Sequence, residues 1–400
     1  MQCLSLLLFT LANVATTAAP VVQDLFGADS SSGGWRGPAL ITTNTSVLIF
    51  GTGPLANGTK VSALRRSIDN GATWSAAEVL PFIGPQPLYD PTTNTVIVLF
   101  KRVPRGSPRQ CSVFCGRWVS NSTDDGRTWS TPVPAAEGNT TWGNGLASGI
   151  ALKYGKAKGN LLAAYRTDCA DPAGGLPADW GGGFPANCTE AAWRPADGNA
   201  PNPVPDRALI STDRGATWHA GGVTPPHMNG HSNAGWTECQ VAELANGSVV
   251  LTSRTIQPLG RVTTVVPYQR LFAMSHDGGE SWSKSWGFKA NQAYNEGYGP
   301  EYNTEGSIIS ARQGQKLLLS KVTASQFPGN HNGYRRNLTV AESDDGGASW
   351  AVRPWGLVYA HLAAYSDMTV LPNGKIGVAF ERGTTQEYRF VSFAVVSPPW

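Results

Sequence analysis

The sequence is poor in the residues most often used for metal and thiol chemistry. It holds six cysteines and six histidines in 400 residues, and none of the histidines sits in a His-Glu-x-x-His spacing. Cys111-x-x-x-Cys115 has no second pair of its kind, so no zinc centre is expected. A Gly-x-Ser-x-Gly elbow and a Walker-type loop are both missing, and Gly181-Gly182-Gly183 reads as loop, not as a phosphate cradle. Charge is scarce as well. Only 15% of residues are charged and the formal balance is +3, which gives no broad attraction to nucleic acid or an anionic membrane. Beyond the N-terminus no apolar run approaches the roughly 18 residues of a membrane span. These absences predict no metal, no cofactor, no nucleic-acid partner and no membrane span.

What is abundant points elsewhere. Glycine (46), proline (28) and tryptophan (14) favour tight turns and short strands over long helices. Residues 1–19, MQCLSLLLFTLANVATTAA, carry the apolar run Leu4–Leu11 ahead of small residues. They read as a signal peptide, leaving 20–400 as one secreted, monomeric domain. Sequons at Asn44, Asn57, Asn121, Asn139, Asn187, Asn246 and Asn337 agree with that route. So do the close pairs Cys111/Cys115 and Cys169/Cys188, plausible disulfides in an oxidising compartment. Cys239 lies in an apolar strand pattern and reads as a buried thiol.

One frame recurs five times: Ser-x-Asp-x-Gly-x-x-Trp, at Ser67–Trp74, Ser122–Trp129, Ser211–Trp218, Ser275–Trp282 and Ser343–Trp350. Short apolar runs alternate with it, at Val47–Phe50, Thr95–Phe100, Leu161–Tyr165, Val249–Thr252, Lys316–Val322 and Lys375–Phe380. Six such units of several short strands predict an all-β fold, a six-bladed β-propeller with these boxes as turns. The last unit lacks a final strand, which the segment near Val21–Phe26 would supply to close the ring. Residues 168–206, rich in Gly, Pro and Trp, read as a loop inserted at one rim. Within a box the Asp accepts turn N–H groups, the Gly takes φ > 0, and the Trp packs between sheets. A role needed in every blade is structural, so the chemistry belongs to residues that do not repeat.

In those residues the sequence resembles the sialidase (neuraminidase) superfamily. The boxes look like its Asp-boxes, and Trp35-Arg36-Gly37-Pro38-Ala39-Leu40 resembles its Arg-x-Pro motif. The segment Thr237–Leu244 leading to Arg254 looks like its glutamate segment with the second arginine, and Arg335–Val340 like the third-arginine segment. Ala364-Tyr365-Ser366-Asp367, continuing to Glu381, is similar to its nucleophile segment. The resemblance implies a glycosidase acting on sialylated glycans or related 2-keto sugar-acid glycosides. Arg36, Arg254 and Arg335 would bind the substrate carboxylate through planar, charge-assisted hydrogen bonds. Tyr365 would be the nucleophile, Glu238 its base, and Glu381 the partner that holds Arg36. A neutral phenol avoids the repulsion a carboxylate nucleophile would meet beside the substrate's own carboxylate.

The sequence departs from the family at one point. The family's acid/base Asp lies between the first arginine and the first box, yet Gly37–Ile68 contains neither Asp nor Glu. Asp168, Asp171 and Asp179 on the insert, and Glu305, are the candidate substitutes. The alternative is a sialic-acid-binding, lectin-like propeller that does not cleave. A third reading is a scaffold that uses the boxes alone.

Overall fold

The computed structural model describes residues 19–27, 34–101, 117–135, 147–166, 206–225, 235–256, 270–287, 304–324 and 335–400. The expected signal peptide up to residue 18, both cysteine pairs, the insert up to residue 205, and the sequons at Asn139 and Asn187 lie outside the described residues. No helix among the described residues is long and apolar enough to cross a membrane.

The described strands form four four-stranded sheets and one of seven strands, all antiparallel. A short first strand, β1 (Val22–Phe26), precedes the first sheet, which is β2 (Arg36–Thr42), β3 (Val47–Pro54), β4 (Lys60–Ser67) and β5 (Glu78–Val79). Next come β6 (Gln86–Asp90), β7 (Thr95–Lys101), β8 (Arg117–Ser122) and β9 (Val133–Pro134). The third sheet is β10 (Ile150–Ala151), β11 (Leu161–Arg166), β12 (Asp206–Ser211) and β13 (His219–Val223). The fourth is β14 (Gly235–Glu243), β15 (Val249–Ile256), β16 (Leu271–Ser275) and β17 (Lys284–Gly287). The seven-stranded sheet holds β18 (Ile308–Ala311), β19 (Lys316–Ala324), β20 (Arg335–Ser343), β21 (Ala351–Val370), β22 (Ile376–Arg382) and β23 (Phe390–Val396), with β1 on its edge. Each of the six apolar runs contributes the second strand of a four-strand series, with its apolar side chains buried between neighbouring layers.

Among the described residues the strands form five sheets rather than six. The reason is β21, a single strand of 20 residues. Its first part, Ala351–Leu362, pairs with β20, and Ala363–Val370 pairs with β22, so two units share one continuous strand. Successive first strands touch one another in turn, β2 to β6, β6 to β10, β14 to β18, β18 to β21, and β21 back to β2. The result is a propeller-like ring. As anticipated, β1 pairs with β23 through Val22–Ala394 and its neighbours, so the N-terminal strand completes the last series.

The box turns explain their own composition. In the first, Asp69 accepts hydrogen bonds from Ser67 Oγ (2.7 Å), Thr73 N (2.8 Å) and Thr73 Oγ1 (2.6 Å), while Ser67 Oγ accepts from Gly71 N (2.8 Å). Asn70 and Gly71 both sit at positive φ (59° and 86°), a region open to Gly and tolerated by Asn. A Cβ at Gly71 would also come within 2.2 Å of the Phe393 ring of the adjoining sheet. Trp74 packs edge-on against that same ring, centroids 5.0 Å apart. The box tryptophan thus seals one sheet to the next, as its repetition implied.

Candidate active site

Three first strands, β2, β14 and β21, each carry a register shift beside a residue singled out for the site. The shifts fall between Arg36 and Ala39 in β2, between Trp236 and Cys239 in β14, and between Ala363 and Ser366 in β21. A β-bulge re-aims the side chain beside it, and the residues inside or at these shifts are Arg36, Glu238 and Tyr365. Gly37 (φ 62°) followed by Pro38 is the local cause in β2, because neither residue supports a regular ladder.

The bulges bring together residues from distant parts of the chain. The Tyr365 hydroxyl donates a hydrogen bond to Glu238 Oε1. Arg254 Nη1 donates to Glu238 Oε2 (2.8 Å) and to the Tyr365 hydroxyl oxygen (3.2 Å). The guanidinium carbons of Arg36 and Arg335 stand 4.9 and 5.6 Å from the centroid of the Tyr365 ring. Burial, reinforced by the charge of Glu238, raises the Tyr365 pKa above the ordinary phenol value, with Arg254 and Arg335 opposing. The hydroxyl is therefore a phenol whose proton already points at a carboxylate. Such a pair passes the proton to the carboxylate as the oxygen attacks an electrophile.

Glu381, on β22, is fully buried and anchors Arg36. It accepts Arg36 Nε (3.1 Å) and Nη2 (3.3 Å) in a bidentate pair, and also Gly37 N (2.9 Å) and Tyr365 N (3.4 Å). Burial raises the Glu381 pKa although Arg36 and the two N–H groups oppose it. Burial works against the Arg36 charge too, but Glu381 more than offsets it, so the Arg36 pKa is raised. Arg36 remains 45% exposed, which leaves it accessible to a ligand.

Beneath the tyrosine lies a buried polar floor. Asp367 Oδ2 accepts Leu40 N (2.9 Å) and Ser148 N (3.0 Å), and Oδ1 accepts Gln240 Nε2 (2.9 Å) and Ser307 Oγ (3.0 Å). One carboxylate thereby ties together four segments other than its own. Glu305 accepts Ser366 N at 3.0 Å. Its pKa is raised well above the usual carboxylate range by burial first, then by the charges of Asp367 and Glu238.

Arg36, Glu238, Arg254, Arg335, Tyr365 and Glu381 are thus brought together, and of Arg335 and Arg336 it is Arg335 that reaches the tyrosine. Glu305, named as a candidate substitute proton donor, is buried and accepts the Ser366 N–H. Asp168, Asp171 and Asp179 lie outside the described residues. The hairpin joining β3 and β4 rises from Thr52, which pairs with Arg36, and has an exposed tip without a carboxylate. Sequence reasoning missed the tether role of Asp367, although an Asp inside an apolar strand pattern is a signal that a buried acceptor is needed. It also missed Tyr388, whose ring lies 4.2 Å from the Arg36 guanidinium carbon.

A profile of the BNR repeat-like domain matches residues 83–378, which include Glu238, Arg254, Arg335 and Tyr365. The chain belongs to the BNR repeat-like family, within the sialidase superfamily. It is 27% identical over 392 residues to a sialidase of Micromonospora viridifaciens, covering 88% of this chain and 50% of that protein. A sialidase of Bacteroides fragilis (strain YCH46) is 23% identical over 391 residues, covering 88% of this chain and 61% of that protein. The chain thus spans about half the length of the first of these curated relatives. An intramolecular trans-sialidase of Ruminococcus gnavus, solved with oseltamivir carboxylate, superposes with a TM-score of 0.62 at 15% identity, covering 94% of this chain and 97% of that one. At that identity the likeness is one of fold.

Proposed function

We propose that this BNR-repeat protein is a secreted exo-α-sialidase-like glycoside hydrolase that releases a terminal sialic acid or related 2-keto sugar acid. The observation that carries the reading is the Tyr365 hydroxyl held between Glu238 and Arg254, with Arg36 and Arg335 beside its ring. Three guanidiniums around one point suit a ligand carboxylate, and the sialidase names of its relatives support that choice. In the proposed reaction the Tyr365 oxygen bonds to the anomeric carbon, its proton passes to Glu238, and the glycosidic C–O bond breaks with the aglycone leaving as its anion, which takes a proton from solvent. Water then bonds through its oxygen to the anomeric carbon as the tyrosyl C–O bond breaks; Glu238 returns its proton to the Tyr365 oxygen and the surplus water proton goes to solvent, so the anomeric configuration is retained. On the same reading β21 serves two blades, one through each half, and the ring counts six.

The bare β3–β4 hairpin favours a second reading. Without a proton donor there, an alkoxide leaves slowly, since general acid help is typically worth about 10²–10⁴-fold. A lectin-like protein that binds the same sugar acid and does not cleave it accounts for that hairpin. Turnover of an aryl sialoside and of sialyl-lactose, with Tyr365→Phe as control, tests both. The hydrolase reading expects cleavage that Tyr365→Phe abolishes, with the aryl substrate favoured if a donor is lacking. Binding without any cleavage supports the lectin, and no binding at all contradicts both.

A further inference from the structure

The loop from Gly383 to Arg389, between β22 and β23, reaches the site. Tyr388 in that loop places its ring 4.2 Å from the guanidinium carbon of Arg36 and 5.9 Å from that of Arg335. Its neighbour Glu387 accepts a hydrogen bond from Arg335 N at 3.2 Å. The loop backbone is fixed against the strand that carries Arg36. A Cβ at Gly34 would fall 1.3 Å from the Tyr388 carbonyl oxygen, and Trp35 N donates to the Arg389 carbonyl at 3.4 Å. Arg36 and Arg335 thus share two aromatic rings, those of Tyr365 and Tyr388. Two like charges held this close repel each other. The negative face of an aromatic ring offsets that repulsion without itself taking up a hydrogen-bond donor.

We infer that Tyr388 is a positioning residue for Arg36 and Arg335, holding both guanidiniums beside the Tyr365 ring so that a sugar-acid carboxylate meets them already aligned. The inference rests on the proposed reading of this site as a carboxylate-binding one. It assigns the β22–β23 loop, which lies beyond the residues matched by the family profile, to ligand affinity. The effect belongs on binding and KM, with kcat changing less, because Tyr388 acts through the arginines and not on the reacting atoms.

Calorimetric titration of the full chain with free N-acetylneuraminic acid tests it, using Tyr388→Phe, Tyr388→Leu and phenylalanines of increasing ring fluorination at position 388. Fluorination removes the negative face while nearly keeping the shape, so a merely structural ring would not respond. It also covers the case in which the leucine variant fails to fold. The expected result is affinity close to wild type for Phe, a stepwise loss along the fluorinated series, and about tenfold weaker binding for Leu. KM on an aryl sialoside should rise in parallel. A flat series, while Arg254→Ala loses binding, overturns the inference and leaves the reading of the site intact. If Arg254→Ala also binds as wild type, the carboxylate-binding reading fails and the inference falls with it.

Discussion

In the third box turn, the Asp213 carboxylate bonds to Ser211 and Thr217, partners two and four residues away, at an exposed corner of the ring. At the axis, the Asp367 carboxylate gathers donors from residues as far away as Leu40, 327 positions along the chain, and none of it meets water. The same chemical group does both. A box settles one turn and repeats wherever that turn recurs. The axis settles where blades stand relative to each other, and everything that distinguishes this protein chemically is built on it. A box lost should loosen a corner, whereas a group lost at the axis should loosen several strands or stop the chemistry.

Catalysis should show the widest gap between the two regions. Glu238→Gln, which removes the proton acceptor of Tyr365, should lower turnover of an aryl sialoside by about 10²–10⁴-fold. Asp213→Ala should leave kcat unchanged. Comparable losses from both would show that the boxes take part in the chemistry. Stability should separate them next. Asp367→Ala leaves buried donors on Leu40, Ser148, Gln240 and Ser307 without their acceptor. Each orphan costs about 1–3 kcal/mol, so a loss above about 3 kcal/mol is expected in urea unfolding. Asp213→Ala should cost about 1 kcal/mol, since water replaces its partner at the surface.

The smallest difference is in pH dependence, where the two regions act with opposite sign. Hydrogen bonds from Thr73 hold Asp69 at about 2, below its ordinary 3.8. In the second box burial opposes the shift, but Thr128 and Ser122 still bring Asp124 to about 2. These depressed values contribute stability that is present above 3.8 and lost as pH falls toward 2. The buried carboxyls Glu305, Asp367 and Glu381 are raised, so their contribution is fullest below the ordinary carboxylate value and is lost as pH rises through the folded one. Thermal melting across pH should therefore peak on the acid side of neutrality and fall again below about pH 4. Asp213→Asn should flatten only the acid arm, because Asp213 is lowered as well.

The same contrast explains what the sequence disclosed. The box turns were readable because their causes are local: Asn70-Gly71 at positive φ and a Trp three positions on sit within one short frame. The second strands were readable from their continuous apolar runs. Arg36, Glu238, Arg254, Arg335 and Tyr365 were reached through motifs, not through periodicity. Their convergence depends on bulges that a regular strand pattern conceals. The unbroken β21 was not readable, since Pro354 and Gly356 look like a break. In the structure β20 absorbs them through successive register shifts between Arg336 and Ala341, and pairing continues. Tyr388 left no signal, because its partner Arg36 lies near the other end of the chain and the loop around it is simply polar.

The most direct test of the account is the mass of the intact protein after reaction with a 3-fluoro-sialosyl fluoride, a substrate with a good leaving group and a slowed second step. The account predicts one added sugar acid per chain, mapped by peptide sequencing to Tyr365 and absent in Tyr365→Phe. Steady turnover of that compound or of aryl sialosides with no adduct, or with an adduct on another residue, would contradict the assignment of the chemistry to the tyrosine at the axis.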